Sequence, residues 1–330
     1  MSTMEAVLTG ESLDSKKLIV TDQEPVGFEC LNFFGKHWVC LLENVEDITH
    51  IGVPVLYVEP NSPVHATCAY TLGWHLSAIS GMPAKWPYYH QIRRRPISKR
   101  VYVLDTQVDC GHPDLAGHCE VAYFDTGLPH PHGTHVAGIV AGARTGVSPN
   151  VHIVSVPVLD ENGQGAWWLL LKALEWTSRQ TPAVINLSLS GPRSEAVNTA
   201  LRLMVEKGWR VAAAAGNEGQ NACNVSPGSE PLVVTVAASN QENSFSTFSN
   251  HGGCVDVVAP GESILSTIPG GRYGGMSGTS MASPIVAGMM ARGDMEWLRD
   301  YVTEIPPGTK NRFAVVSDRD VCPKIILAFQ

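Results

Sequence analysis

The 330-residue sequence has few charged residues and no long hydrophobic run. Charged side chains make up 16% of the chain, and 31 acidic against 23 basic residues give a formal net charge of -8. Such a protein lacks the basic surface that nucleic acid requires, so we expect no nucleic-acid partner. The most apolar run, Trp167 to Trp176, contains Lys172 and Glu175, so no segment reaches the roughly 18 apolar residues of a membrane helix. With 44% hydrophobic residues, the chain can bury a substantial core.

The start of the chain also lacks the features of an export signal. Met1 to Val20 contains charged side chains instead of the apolar block of a secretory signal. The eight cysteines show no C-x-x-C spacing of the kind found in zinc or thioredoxin-type sites. Disulfides and free buried thiols both remain open, and these features alone do not define the compartment.

From Arg100 onward, apolar β-prone runs alternate with segments of helical periodicity. The runs do not alternate polar and apolar residues, which is typical of strands buried on both faces. This order predicts an α/β fold with a mostly parallel sheet and helices on both faces, and with functional loops at the carboxyl ends of the strands. The predicted strands are Val101 to Leu104, Val151 to Pro157, Ala183 to Leu189, Val211 to Ala215, Val233 to Val236 and Val255 to Val258. The predicted helices are Gly165 to Gln180, Ser194 to Lys207 and Thr279 to Met290.

Polar residues follow these strands or open these helices at four points, of which Asp105 is the first. It comes directly after the strand Val101 to Leu104. Taken alone, it is more simply explained as a turn former or a helix cap. The segment from His132 to His135 then opens a helix of small residues that can lie close to the sheet. Only one of these two histidines can occupy the helix start and deliver its imidazole from there.

The other two points are Asn217 and Ser280. Asn217 lies between Gly216 and Gly219, where glycine permits a backbone that directs the amide outward, although a plain turn also explains it. Ser280 stands at the start of a helix, whose free N–H groups and partial positive charge suit an oxyanion that forms beside the serine. Helix capping is the alternative role for this serine. Together the four residues follow the order Asp, His, Asn, Ser, which separate structural explanations do not predict.

These motifs resemble those of the subtilisin-like serine proteases, and within them the proteinase K-like branch. The resemblance implies a subtilisin-like three-layer fold in which Ser280 is the nucleophile and His132 its general base. Asp105 would orient the imidazole, and Asn217 would donate a hydrogen bond to the oxyanion. His135 would then be structural. The order Asp, His, Ser is the one known for subtilisin.

The resemblance also implies a zymogen in two parts. Residues 1–68 would form a short propeptide-like segment that inhibits the enzyme, and residues 69–330 would form the catalytic domain. Self-cleavage would fall between Pro60 and Leu72. The family further implies a secreted or lumenal monomer without a membrane span and without an organic cofactor.

The implied substrate is a protein or peptide that pairs as an extended strand with two edges of the cleft. Because no acidic residue stands in the predicted pocket, we expect a broad endopeptidase that prefers apolar or aromatic side chains, unlike the dibasic-cutting kexin-like relatives. The implied substrate-binding residues are Gly163, Gln164, Gly165, Trp167, Ser188, Leu189, Ser190, Ala214, Ala215 and Gly216.

A calcium site and a disulfide are also implied by the resemblance. Proteinase K-like enzymes bind calcium through two backbone carbonyls and one aspartate, and the matching positions are Pro231, Val233 and Asp256. Cys223 and Cys254 match a disulfide of some secreted relatives, with free thiols as the alternative.

Two other functions compete with that of a peptidase. A catalytically silent protease-fold binding protein, with its front segment retained in the cleft, is the alternative; the presence of Asn217 together with Ser280 argues against it. An ester-cleaving α/β hydrolase fails because the G-x-S-x-G elbow is absent around Ser280 and its histidine should come last. Gln107 and Ser190 stand where the family usually has glycine, which affects rate and specificity more than the chemistry.

Overall fold

A computed structural model describes residues 17–21, 30–33, 37–42, 55–60, 73–79, 100–122, 128–149, 151–293 and 295–316. The chain divides into two compact units, Met1–Thr67 and Cys68–Gln330. The described strands of the first unit are β1 (Lys17–Thr21), β2 (Cys30–Phe33), β3 (His37–Leu42) and β4 (Val55–Pro60). They form one antiparallel sheet in the order β2-β3-β1-β4.

The second unit contains a large sheet and its helices. Its described elements are α1 (Trp74–Ile79), β5 (Arg100–Asp105), β6 (Cys119–Val121), α2 (Pro131–Ala141), β7 (His152–Pro157), α3 (Trp167–Ser178), β8 (Val184–Leu187), β9 (Gly191–Pro192), α4 (Glu195–Glu206), β10 (Arg210–Ala214), β11 (Val225–Ser226), β12 (Val234–Ser239), β13 (Val257–Pro260), β14 (Ile264–Ile268), β15 (Arg272–Met276), α5 (Thr279–Arg292), β16 (Met295–Arg299) and β17 (Arg312–Val316). Nine strands form the central sheet in the order β16-β17-β13-β12-β10-β8-β5-β7-β6. Neighbouring strands are parallel except for β16 and β17, which are antiparallel. The predicted mostly parallel sheet is confirmed.

Helices cover both faces of this sheet, which explains why strand β5 has a continuous apolar run from Val101 to Leu104. Val101 and Val103 pack into the core that contains α2 and α5, whereas Tyr102 and Leu104 pack into the core that contains α3 and α4. All four side chains are almost completely buried. Burial of a side chain of this size contributes about 1.5 to 3 kcal/mol, so a polar residue at any of these positions would be costly.

Helix α2 lies close to its neighbours because its residues are small. A Cβ atom on Gly138 would lie 2.1 Å from the hydroxyl oxygen of Thr267, and one on Gly133 would lie 2.2 Å from the carbonyl oxygen of Thr106. Glycine is therefore the residue that fits at both points. This close approach fixes the first turn of α2, which carries His132, beside the carboxyl end of β5.

Several described elements of the second unit have no counterpart among the predicted ones. They are helix α1, the three-residue strand β6 and the antiparallel pairs β9–β11, β14–β15 and β16–β17. Strand β15 has two glycines and is only partly buried, so it lacks the continuous apolar run that marked the other strands. The predicted strand Ala183 to Leu189 also ends earlier than expected, because β8 ends at Leu187.

Two disulfides are present among the described residues. Cys110 is bonded to Cys119, and Cys223 is bonded to Cys254 with a Cα–Cα distance of 5.3 Å. The second bond ties the loop after β10 to the loop before β13. Within the described ranges, no helix is long and apolar enough to cross a membrane.

Candidate active site

Asp105 and His132 form a short hydrogen bond at the carboxyl end of β5. His132 Nδ1 donates to Asp105 Oδ1 at 2.7 Å. The same carboxylate oxygen accepts a second hydrogen bond from the backbone N–H of Thr106, at 2.7 Å. The Asp105 side chain is fully buried, whereas that of His132 is 28% exposed. Because Nδ1 holds its proton against the carboxylate, Nε2 is the nitrogen that can act as a base.

This carboxylate changes the acid–base behaviour of the imidazole. The negative charge of Asp105 raises the pKa of His132, and the hydrogen bond between them adds to this effect, while burial acts in the opposite direction. An imidazolium that forms at His132 is therefore stabilised by the adjacent negative charge. That is the property required of a base that must hold a proton during a reaction.

The start of α2 is held by His130, to which no sequence pattern gave a role. His130 occupies the N-cap position, and its Nδ1 accepts a hydrogen bond of 3.1 Å from the backbone N–H of His132. Pro131 follows at the first position of the helix, where proline is favoured because its missing N–H would have no partner there. A histidine is not among the preferred N-cap residues, so no sequence signal indicated this contact.

The second histidine of the motif has the opposite environment. His135 Nε2 lies 2.9 Å from each of the carbonyl oxygens of Ile264 and Gly274, to which it donates. Burial lowers the pKa of His135 to about 4. His135 thus stays neutral near pH 7 and joins α2 to the β14–β15 hairpin.

Ser280 lies in the first turn of α5 and shares a cavity with His132. Its hydroxyl donates a hydrogen bond of 3.1 Å to the carbonyl oxygen of Ser188. The Ser188 hydroxyl in turn donates to the Ser280 carbonyl oxygen at 2.7 Å. Among the described residues, the Ser280 hydroxyl therefore has Ser188, and not His132, as its hydrogen-bond partner.

Asn217 follows β10 and has its amide oxygen fixed by Thr279. Asn217 Oδ1 accepts hydrogen bonds from the backbone N–H and from the hydroxyl of Thr279, each at 2.8 Å. The Thr279 hydroxyl also accepts a bond of 3.2 Å from the backbone N–H of Gly216. With its oxygen engaged in this way, the amide presents its NH₂ group to a further acceptor. The first N–H groups of α5, which include that of Ser280, lie near it and have no partner within the helix.

The cavity that contains His132 and Ser280 has a volume of about 1030 Å³. Seven of the predicted substrate-binding residues line it: Gly163, Gln164, Gly165, Trp167, Ser188, Leu189 and Ser190. Ala214, Ala215 and Gly216 are not among its described lining residues. Ala166, which ends the predicted edge segment that begins at Gly163, lines it as well. Residues not predicted from the sequence also line it: His130, Val158, Leu159, Asn162, Leu170, Gly191, Pro192, Arg193 and Ser194.

The residues matched to a calcium site do not fit one well. Asp256 Oδ1 lies 2.7 Å from the ammonium nitrogen of Lys310, and Oδ2 accepts a hydrogen bond of 3.1 Å from the backbone N–H of Thr235. An ammonium group therefore lies where a cation would contact the carboxylate. Calcium at Pro231, Val233 and Asp256 stays a prediction that this ion pair argues against.

Comparison with known proteins gives consistent similarities. Residues 99–295 match the family described as the Subtilase family. Subtilisin-like protease 6 of Trichophyton equinum is 40% identical over 235 residues, which are 66% of this chain and 57% of that protein. Subtilisin-like protease 6 of Trichophyton verrucosum is 39% identical over 264 residues, which are 71% of this chain and 63% of that protein. This chain thus spans less than two thirds of the length of these relatives.

A solved structure shows a similar fold. The crystal structure of a cold adapted subtilisin-like serine proteinase matches with a TM-score of 0.68 and 32% sequence identity. The match covers 74% of this chain and 98% of the other. The three-layer fold predicted from the sequence is confirmed by this likeness.

Proposed function

The chain belongs to the subtilase family, and on that premise we propose that it is a serine endopeptidase that acts through an acyl-enzyme. The supporting observation is the 2.7 Å bond between buried Asp105 and His132, in a cavity that Ser280 also lines. Each of the three residues carries one function that this chemistry needs: orientation, proton transfer and nucleophilic attack.

The reaction begins when the Ser280 hydroxyl turns from Ser188 towards His132. His132 Nε2 takes the hydroxyl proton as Oγ attacks the carbonyl carbon of the peptide. The carbonyl oxygen becomes an oxyanion, which accepts hydrogen bonds from the NH₂ group of Asn217 and the backbone N–H of Ser280. His132 then gives its proton to the leaving amine, and the C–N bond breaks to leave an ester on Ser280.

Hydrolysis of that ester repeats the steps with water. His132 takes a proton from water, whose oxygen attacks the ester carbonyl, and returns the proton to Ser280 Oγ as the acid leaves. Hydrogen bonds of free nucleophiles are often long or misdirected and improve once substrate is bound. The Ser280–Ser188 contact is compatible with such a change. Its loss is offset by the new bond to the imidazole.

We propose a preference for apolar or aromatic side chains at the cleavage site. The cavity walls contain Val158, Leu159, Trp167, Leu170 and Leu189. Among the described lining residues there is no carboxylate that would attract a basic side chain. Arg193 lies at the wall, but its guanidinium is paired with Glu195 at 2.8 Å.

The remaining expectations concern the front of the chain. We propose that residues 1–68 act as an inhibitory segment that the enzyme removes by cutting between Pro60 and Leu72, where residues 61–72 lie outside the described ranges. N-terminal sequencing of active enzyme tests this. A single intact N-terminus would contradict it. The alternative of a silent binding protein is not favoured by relatives that are named as proteases.

Hydrolysis of a peptidyl 4-nitroanilide with phenylalanine at the scissile bond tests the proposed activity. The anilide should be hydrolysed at a steady rate, and rapid mixing with the corresponding 4-nitrophenyl ester should show a burst of 4-nitrophenol equal to the enzyme concentration, because an activated ester acylates the serine faster than water cleaves the acyl-enzyme. Ser280→Ala should abolish both the hydrolysis and the burst. Lack of any hydrolysis by wild type, with or without removal of residues 1–68, would contradict the proposal.

A further inference from the structure

Asn250 is a fully buried asparagine outside the four residues proposed for catalysis. Its Nδ2 donates to the carbonyl oxygen of Ala215 at 2.9 Å and to the carboxylate of Glu218 at 2.8 Å. Its Oδ1 accepts from the backbone N–H of Glu218 at 3.1 Å and from that of Gln220 at 2.9 Å. An amide has two donor hydrogens and two acceptor lone pairs, so all four positions are used. All four contacts are made to residues 215–220, the oxyanion loop.

These contacts lie on both sides of Asn217, the proposed oxyanion donor. The backbone N–H of Asn250 also donates to the carbonyl oxygen of Gly216 at 2.9 Å. Gly216 has φ +99°, and a Cβ atom there would lie 2.3 Å from Asn250 Nδ2. The left-handed backbone before Asn217 and the Asn250 amide therefore fit each other. Thr279 holds the end of the Asn217 side chain, whereas Asn250 holds the backbone from which that side chain projects.

We propose that Asn250 is a positioning residue that holds the oxyanion loop so that the Asn217 amide meets the developing oxyanion. The inference rests on the proposed function. A donor stabilises the oxyanion only within a narrow distance of about 2.7 to 3.1 Å. The loop contains Gly216 and Gly219, which restrict the backbone little, so the position of Asn217 depends on contacts from outside the loop.

Loss of the Asn250 side chain should leave the segment folded. The disulfide between Cys223 and Cys254 joins the same two segments. A backbone bond from His251 to Gln220, at 2.9 Å, joins them as well. In the variant, the oxyanion loop should therefore stay folded, but its position should be less tightly fixed. Because the oxyanion exists only after attack, kcat should fall while KM changes little.

The test compares Asn250→Ala with Asn198→Ala in the full chain. Asn198 is a matched control because it is also buried and its amide bonds Ser226 and Ser229 instead of the oxyanion loop. With the phenylalanyl 4-nitroanilide, Asn250→Ala should lower kcat about 10- to 100-fold, less than the 100- to 1000-fold of losing an oxyanion donor. KM should stay within about twofold. Asn198→Ala should lower the melting temperature without this loss of kcat. Should Asn250→Ala fail to fold, Asn250→Ser replaces it.

A double-mutant cycle then shows whether Asn250 acts through Asn217. In an Asn217→Ala background the Asn250 substitution should cause little further loss of kcat, because the group it positions is absent. The inference would be overturned if the double variant lost kcat by the product of the two single losses. An unchanged kcat in folded Asn250→Ala, or an equal loss of kcat in Asn198→Ala, would also overturn it. The proposed function would survive each of these results. If wild type itself hydrolyses no peptide, the proposed function and this inference both fail.

Discussion

The two halves of the cleft differ in how far they are prepared for reaction. The base half, Asp105 and His132, is already joined by a bond of 2.7 Å. In the acyl half, Ser280 and Asn217, the hydroxyl of the proposed nucleophile is bonded to the Ser188 carbonyl at 3.1 Å. The base half thus already has the contact that the proposed proton transfer needs. The acyl half requires one change of hydrogen-bond partner.

The chemistry of the two bonds explains this difference. The Asp105–His132 bond involves a buried carboxylate, and a bond to a charged group is roughly twice as strong as one between neutral groups. The Ser280–Ser188 bond is neutral and contributes only about 0.5 to 1.5 kcal/mol net. A bound substrate can therefore redirect the nucleophile at low cost. It could not separate the carboxylate from the imidazole so easily.

Removal of the nucleophile tests the acyl half and should have the largest effect. Ser280→Ala should lower kcat by about a millionfold, as in subtilisin, because the remaining groups cannot form an acyl-enzyme. Ser178→Ala, which changes an exposed serine at the end of α3, is the control and should leave kcat unchanged. Steady-state hydrolysis of the 4-nitroanilide measures both. A loss of less than tenfold in Ser280→Ala would show that another group attacks the substrate.

Asp105→Asn tests the base half. The asparagine removes the charge that holds the imidazole tautomer, so kcat at neutral pH should fall about 10⁴-fold, as the same change does in another Ser-His-Asp triad. In wild type, activity should fall as pH drops through a pKa above the ordinary 6.5 of histidine, because Asp105 raises the pKa of His132. The variant's acid limb should move to lower pH. Profiles of kcat/KM against pH would contradict the account if both proteins had the same acid limb.

The base half could be predicted from the sequence more fully than the contacts around the acyl half. Asp105 ends a continuous apolar strand, and small residues mark the helix of His132, so local patterns placed both. The Ser188 carbonyl and the Asn250 amide act through contacts between segments far apart in the chain. No pattern in one sequence reports such contacts.

His135 supports the base half and should influence stability in acid. The folded protein binds a proton at His135 only near pH 4, whereas the unfolded chain does so near 6.5. Between these values the unfolded state binds more protons, so the free energy of unfolding should fall as pH falls, by about 3 kcal/mol in total. Urea unfolding of wild type and of His135→Gln at pH 7 and at pH 4.5 measures this change in the free energy of unfolding. Equal pH dependence in both would contradict the assignment.

The Lys310–Asp256 ion pair lies outside both halves and should have the smallest effect. Lys310→Ala should cost about 0 to 1 kcal/mol, because both side chains are partly exposed. Wild type should melt at the same temperature in chelator and in calcium, since a ligand of the folded state would raise it. Differential scanning fluorimetry of wild type and Lys310→Ala measures the melting temperature with chelator and with calcium. Lys172→Ala is the control for loss of a lysine elsewhere. A calcium-dependent rise in wild type would restore the calcium prediction.

Labelling with a fluorophosphonate tests most directly whether the two halves form one reactive centre. The reagent bonds covalently to a serine that an adjacent base activates, and peptide mapping by mass spectrometry locates it. We predict one adduct, on Ser280, that disappears in His132→Ala even though the serine is retained. An adduct on another residue, or equal labelling of Ser280 without His132, would contradict the account.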